Sequence, residues 1–202
     1  MEMIENKKDM SDTAYEQALT LMITQKKVTY IPYEGFWQVL KYPWHILSML
    51  EHHLSKLKNS TIDKTALISK TAVIIGNVFI GKNVKIGDFV KIVGPCFIGD
   101  NSIIADYSLV RNSQIGQNCL IGSGCEIARS YLAEGVMLHR NYIGDSVLDK
   151  GVLCGAGAVT ANFRFDKKDV LSQVKDKKIE THMSKLGAMI GENSKIGVNS
   201  TL

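Results

Sequence analysis

The chain has 202 residues, 45% of them apolar and 22% charged, and a formal net charge of +4. That length supports one sizeable core with a small appendage, and the composition is that of an ordinary globular protein. The charge is too mild to point to nucleic acid. No apolar run reaches membrane-spanning length, and MEMIENKKDM lacks a signal peptide's apolar core, so a cytoplasmic protein is expected.

Residues 1–12 are polar and charged and read as a frayed end. From Thr13 to Lys27, Ala14, Ala18, Leu19, Leu21, Met22 and Ile23 recur at helical spacing. Val28-Thr-Tyr-Ile-Pro-Tyr33, rich in β-branched and aromatic residues, predicts a strand. Glu34-Gly35 turns the chain into Phe36-Trp-Gln-Val-Leu40, which predicts a second one. Pro43 then opens a helix from Trp44 to about Leu57. The stripe Trp44, Leu47, Leu50, Leu54 and Leu57 is expected to cap the first open coil of a repeat that begins at Ile62.

From Ile62 to Ile104 an isoleucine stands at every sixth position: Ile62, Ile68, Ile74, Ile80, Ile86, Ile92, Ile98 and Ile104. Four places after each comes a small or β-branched residue, from Ala66, Ala72, Val78, Val84 and Val90 to Cys96, Ser102 and Ser108. Neither a helix nor a simple strand produces a six-residue beat; a hexapeptide repeat does, and it folds as a parallel β-helix. The ladder continues through Val110, Ile115, Ile121, Ile127, Leu132, Leu138, Ile143, Leu148, Cys154 and Thr160, with five-residue units at 110–114, 127–131 and 138–142. Cys96, Cys119, Cys125 and Cys154 fall on inward positions and form no close CxxC pair, so they read as core thiols. At Asn162 the ladder stops for a charge-dense loop to about Lys185, then resumes at Met189 and runs to Leu202. A loop of that length thrown from a regular solenoid points to function. The expected organisation is an N-terminal α/β appendage over 1–58 and an all-β parallel β-helix over 59–202, with the loop protruding at about 162–185.

Two stretches carry a family resemblance. QALTLMITQKKVTYIPYEGFWQVLKYPWHILSMLEHHL resembles the tail of sugar-1-phosphate nucleotidyltransferase domains where they join a β-helix. His139-x-x-Tyr142-x-Gly144-Asp145, with Gly155-Ala-Gly157-x-x-Thr160-x-Asn162 and the adjoining FRFDKK, resembles the acetyltransferase half of the bifunctional enzymes that acetylate an amino-sugar 1-phosphate and then uridylylate it, in their archaeal-type form. The resemblance implies a left-handed β-helix, homotrimers with sites between subunits, acetyl-CoA as co-substrate, and residues 1–58 as a remnant of the nucleotidyltransferase domain. It also implies that nucleotidyl transfer is not expected: the family's metal-holding aspartate two residues after the tryptophan is replaced, since Trp37 is followed by Gln38 and Val39.

Moving an acetyl group from a thioester to an amine needs a base, and imidazole, with an ordinary pKa near 6.5, suits that task. His139 comes directly after an inward residue and so should point outward; by resemblance it is the base. The resemblance puts Arg111 and Lys168 on the sugar phosphate, where arginine's planar fork suits phosphate well, and Tyr142 and Asn162 against the sugar or the acyl group. Backbone N–H groups around Gly155-Ala156-Gly157 would face the thioester oxyanion, which makes Ala156 the cofactor-contacting position. Two positions depart from the family: Ala128 stands in place of a phosphate-binding lysine, with Arg129 beside it, and Leu153 in place of a sugar-contacting asparagine. Family members also continue beyond the position of Leu202, with coils that hold the pantetheine and adenine. No metal is expected, because His139 is the only histidine on the ladder, whereas His45, His52 and His53 precede it and His182 lies in the loop. A non-catalytic β-helix kept for oligomerisation or regulation stays open as the second reading.

Overall fold

The computed structural model describes residues 13–202, which fall into two units dividing between Trp37 and Gln38. The polar stretch 1–12 lies outside the described residues. In the first unit, helix α1 spans Ala14–Gln25 and buries none of its residues. The two predicted strands do not form: 28–34 and 36–40 are without regular structure, with Tyr30 and Ile31 85% and 89% exposed. Strand propensity measures fit to a half-buried pleated surface, and no described strand pairs with either segment. The appendage is thus helical rather than α/β. The contacts also divide the chain earlier than the change of sequence pattern at 58, and leave the second helix with the β-helix.

In the second unit, helix α2 spans His45–Ser55, one residue inside the predicted start and two inside the predicted end. Beyond it the chain winds into parallel strands that stack in three walls. The first wall runs from Thr61–Ile62 to Met189–Ile190 and the second from Leu67–Ile68 to Lys195–Ile196, each seven strands deep. The third runs from Val73–Ile75 to Tyr142–Gly144 and is extended by single bridges at Val159 and Thr201. This is the expected left-handed parallel β-helix. Register tracks the inward ladder: Ile80 lies over Ile62 and Ile98 over Ile80, then Ile115 over Ile98, Leu132 over Ile115 and Leu148 over Leu132. The coil therefore shortens where the five-residue units occur, and the inward column is undisturbed.

That column fills the core. Ile80, Ile92, Ile98, Ile104, Val110, Ile115, Ile121, Ile127, Leu132 and Leu148 are fully buried, as are Val78, Val84, Val90, Cys96 and Ser102 beneath the turns. All four thiols are free and buried, and burial pushes Cys96 and Cys154 up to about 11. Buried serines in one corner satisfy each other coil by coil. The N–H of Ser130 donates to Ser113 Oγ (3.0 Å), that of Ser146 to Ser130 Oγ (3.1 Å) and that of Ala188 to Ser146 Oγ (3.0 Å). A core packed this regularly has no slack for a lost methyl. Ile127→Val is expected to cost about 1 kcal/mol, read as a shift in the urea midpoint at constant slope.

Helix α2 does not cap the open first coil, where Ile62 stays 47% exposed. It lies instead along the outside of the first wall. There Trp44 and Leu47 are buried with Val147 and Leu186, against Tyr131, Met189, Val170, Val174, Ile179 and Met183. The outward residues of that wall are apolar at this height, so the helix stripe finds its complement on the side of the column. The predicted loop is itself partly ordered: Leu171–Val174 and Lys177–Glu180 pair antiparallel as a hairpin, and its apolar face supplies the far side of the α2 cluster.

Candidate active site

All of the candidate residues but Lys168 lie on the outer face of the third wall or at its two corners. Leu109–Arg111, Glu126–Ala128 and Tyr142–Gly144 are consecutive strands, with Arg111 over Ala128 over Gly144 and Glu126 beside Tyr142. Outward residues alternate with the inward Val110, Ile127 and Ile143, so Arg111, Glu126 and Tyr142 share one surface.

His139 sits at the corner entering this wall and is exposed, as its place in the repeat required. Its backbone N–H donates to Asn141 Oδ1 (2.6 Å), while Asn141 Nδ2 donates to Gly155 O (2.8 Å) and Ala158 O (3.0 Å). Asn141 is 3% exposed. It therefore ties the histidine corner to the Gly155-Ala-Gly157 coil, a role not assigned to it from sequence. An asparagine on the small inward position, between Cys125 and Ala158 in the same column, was the signal available.

At the far edge of the wall, Asp145 is the hub. It is 5% exposed and adopts a left-handed φ of 49°. Its carboxylate accepts from Arg129 Nε (2.6 Å) and Nη2 (2.7 Å), and from Asn162 Nδ2 (2.5 Å). Asn162 Nδ2 also lies 3.0 Å from the Tyr142 hydroxyl. Tyr142 and Asn162 are thus brought together, above Gly144. A side chain on Gly144 would begin 2.5 Å from the tyrosine oxygen, so the glycine makes room for the pair. The Asp145 carboxylate, through its hydrogen bonds, raises the Arg129 pKa above its ordinary value.

Arg111 donates from Nη2 to the Glu126 carboxylate, both side chains a little over a third exposed. Its Nε is buried without an acceptor. Ala128 is fully buried on this face. Arg129 does not replace the family's lysine on the wall. Its guanidinium turns round the corner with Asp145 into a cleft of about 850 Å³ under α2, shared with Trp44, His45, Asn112 and His182. Lys168 is exposed just beyond the turn at 165–166, its backbone N–H donating to Asp166 Oδ1 (3.2 Å). No described contact joins it to Arg111 or His139. The N–H groups of Gly155 and Gly157 are taken by Ile196 O (2.9 Å) and Arg140 O (3.1 Å). Of that trio, only the N–H of Ala156 meets no acceptor among the described residues, so the broader expectation of an oxyanion site from the glycine N–H groups narrows to Ala156.

Among the described residues no group of His, Cys, Asp and Glu could hold a metal ion, and no helix is long and apolar enough to cross a membrane.

Residues 57–148 match the family described as the GMPPB C-terminal domain. A bifunctional protein GlmU of Methanococcus maripaludis is 34% identical over 182 residues, covering 90% of this chain and 44% of that protein. A bifunctional sugar-1-phosphate nucleotidylyltransferase/acetyltransferase of Sulfurisphaera tokodaii is 44% identical over 78 residues, 38% of this chain and 20% of the relative. Among solved structures, a hexapeptide transferase family protein from Anaplasma phagocytophilum aligns at 27% identity and a TM-score of 0.48, over 50% of this chain and 64% of that one. The chain spans less than half the length of these curated relatives. Its left-handed β-helix, read with the match at 57–148 and the relative aligned along nine tenths of it, makes this chain similar to the bifunctional sugar-1-phosphate nucleotidylyltransferase/acetyltransferases.

Proposed function

We propose that the chain is an acyltransferase that moves acetyl from acetyl-CoA to the amine of an amino-sugar 1-phosphate, with His139 as general base. The observation that carries this reading is the exposed imidazole at the corner of a wall whose face bears Arg111, Tyr142 and Asn162. The acetyltransferase named in the relatives supports it. In the reaction the amine nitrogen forms a C–N bond at the thioester carbonyl as His139 takes its proton. The C–S bond then breaks, and the thiolate leaves and is protonated as free coenzyme A. Tyr142 and Asn162 orient the sugar, Arg111 holds the phosphate, Lys168 reaches it from the loop, and the Ala156 N–H faces the developing oxyanion. Residues 1–58 resemble the tail of a nucleotidyltransferase domain, with Val39 where that family has its metal-holding aspartate, and the protein works in the cytoplasm. The test is release of coenzyme A thiol across a panel of amino-sugar 1-phosphates; silence on every one with acetyl-CoA bound would end this reading.

The same reading makes the protein a homotrimer. Ile103, Leu120, Met137 and Leu153 stack outward on the second wall, each 37–47% exposed, with Lys85 and Lys195 at the ends of the stripe. A second copy of the same wall or its neighbour is the natural cover, and Leu153 then belongs to the interface rather than to the sugar. The chain is expected to sediment at three times 22.4 kDa, and the double substitution Leu120→Glu, Met137→Glu to sediment as a monomer. A monomeric parent at micromolar concentration would remove the shared site.

One observation favours the second reading, a non-catalytic scaffold. Within the chain, both arginines near the wall are already neutralised, Arg111 by Glu126 and Arg129 by Asp145. A scaffold would trimerise without turning over any amine.

A further inference from the structure

We infer that the corner between the second and third walls holds a slot for the flat base of a nucleotide, between Tyr107 and Arg140. This rests on the reading of His139 as a catalytic corner, because Arg140 is the next residue. Along that corner each coil contributes one residue with a left-handed backbone: Phe89, Tyr107, Gly124, Arg140, Gly157 and, last, Asn199. Tyr107, Gly124 and Asn199 each donate to the residue before their counterpart in the coil beneath, Asp88 O (2.9 Å), Asp106 O (2.9 Å) and Ala156 O (2.8 Å), whereas Gly157 donates to Arg140 O itself (3.1 Å), so the register steps by one residue at the short unit that carries Arg140.

Two features of this column are unexplained by folding. Bulky residues avoid positive φ, yet Phe89 and Tyr107 adopt 56° and 60° with their side chains 56% and 68% exposed. The neighbouring corner solves the same geometry with Asn83, Asn101 and Asn118, residues that tolerate it. The rings also stack on each other, centroids 5.3 Å apart and 12° from parallel. Strain of this sort clusters at active sites and ligand clamps.

Above Tyr107 the stack is interrupted. Gly124 carries no side chain, and one placed there would meet only Arg140 Cγ within 4 Å, at 3.7 Å. Coils repeat at about 4.8 Å, so Tyr107 and Arg140 stand roughly 9.6 Å apart along the column. A planar ring in contact with both faces needs about 7 Å. The slot therefore takes one flat ring, with a phenol below and a guanidinium free to close from above. On the coil of Tyr107 the next outward residues along the chain are Leu109 and Arg111. A phosphate joined to the ring would thus approach Arg111, four residues on and roughly 13 Å of extended chain away, a guanidinium it would share with Glu126. Base and phosphate together are a nucleotide. The two sources are a nucleotide-linked amino sugar and the adenine of the acyl donor.

The test is isothermal titration of the full chain with UDP, GDP, ADP and coenzyme A, using ribose 5-phosphate and 4′-phosphopantetheine as controls without a base. At least one base-containing ligand is expected to bind about tenfold or more tightly than its control. Tyr107→Asn, which keeps a residue suited to the backbone, should erase that advantage and leave the controls unchanged. Gly124→Asn should do the same by filling the slot, and matched melting curves guard against misfolding. Sensitivity confined to UDP or GDP assigns the slot to the acceptor, and sensitivity of coenzyme A, with or without ADP, assigns it to the donor. Equal binding with and without a base, or nucleotide binding unchanged in Tyr107→Asn, overturns the inference. If base-free amino-sugar phosphates are acetylated in a His139-dependent way while no base-containing ligand, coenzyme A included, outbinds its base-free control, the slot falls and the catalytic reading stands. If nucleotides bind through Tyr107 while no amine is acetylated, the reverse holds.

Discussion

Replacing His139 by alanine is expected to lower kcat by about 10²- to 10⁴-fold, the usual contribution of a positioned general base, while acetyl-CoA still binds. The side chain is exposed, and among the described residues its ring makes no hydrogen bond. The anchoring of this corner runs through the backbone N–H to Asn141, which alanine retains. Melting should therefore be unaltered. That combination separates a base from a packing residue, since a structural histidine would lower stability along with rate. Single-turnover measurements of thiol release, with donor binding monitored separately, read both quantities. Equal kcat in parent and variant would remove His139 from the chemistry, and loss of donor binding would move it from base to binding residue. Asn141→Ala should mimic part of the effect with a loss of stability, because it frees the same corner and leaves the carbonyls of Gly155 and Ala158 without their donor.

The second large effect is expected at Asp145. Alanine there removes a buried carboxylate from a bidentate guanidinium and from Asn162. Leaving one member of a buried pair uncompensated typically costs 3–5 kcal/mol. Arg129 is 37% exposed and can recover part of its hydration, which places the loss at about 3 kcal/mol, including the strain of alanine at positive φ. Asp145→Asn tolerates that backbone and keeps the shape, so it should fall between the two. Turnover should drop in both, because Asn162 and Tyr142 lose their common anchor. Urea unfolding of the three proteins measures the ladder of stabilities. An alanine variant within about 0.5 kcal/mol of the parent would show that the pair contributes nothing net, as many partly exposed pairs do not.

Most of the column was legible because its inward positions repeat. Every isoleucine from Ile80 to Ile127 in the ladder is buried to within a few per cent of complete, and the five-residue units shorten the coil without losing the column. The strands expected at 28–33 and 36–40 were not readable in the same way, since a lone apolar segment says nothing about whether a neighbour exists to pair with it. Helix α2 was found, but its seat on the first wall depended on Tyr131, Val147 and the hairpin, which are distant in the sequence. At the site, the positions of His139, Arg111 and Tyr142 come from register. Their partners do not come from local pattern: Glu126 lies 15 residues from Arg111, and Asp145 lies 16 from Arg129. Such pairs are visible only once the length of a coil is known. The charge-dense loop hid its hairpin because Leu171, Val174 and Ile179 are sparse among lysines, yet Val174 and Ile179 suffice to pack against the α2 cluster.

The seat of α2 has a kinetic consequence. Trp44 is buried against Leu186 and Val147, which belong to the last coils of the column. A chain synthesised from its N-terminus makes this helix early and its resting place late, so the helix must wait, apolar side outward, until the column is nearly complete. Docking is then the closing event of assembly. Of the two indoles, Trp37 remains 74% exposed whereas Trp44 is 3% exposed, so the blue shift of tryptophan emission during refolding is expected to report that final latch and to lag behind the appearance of β-structure.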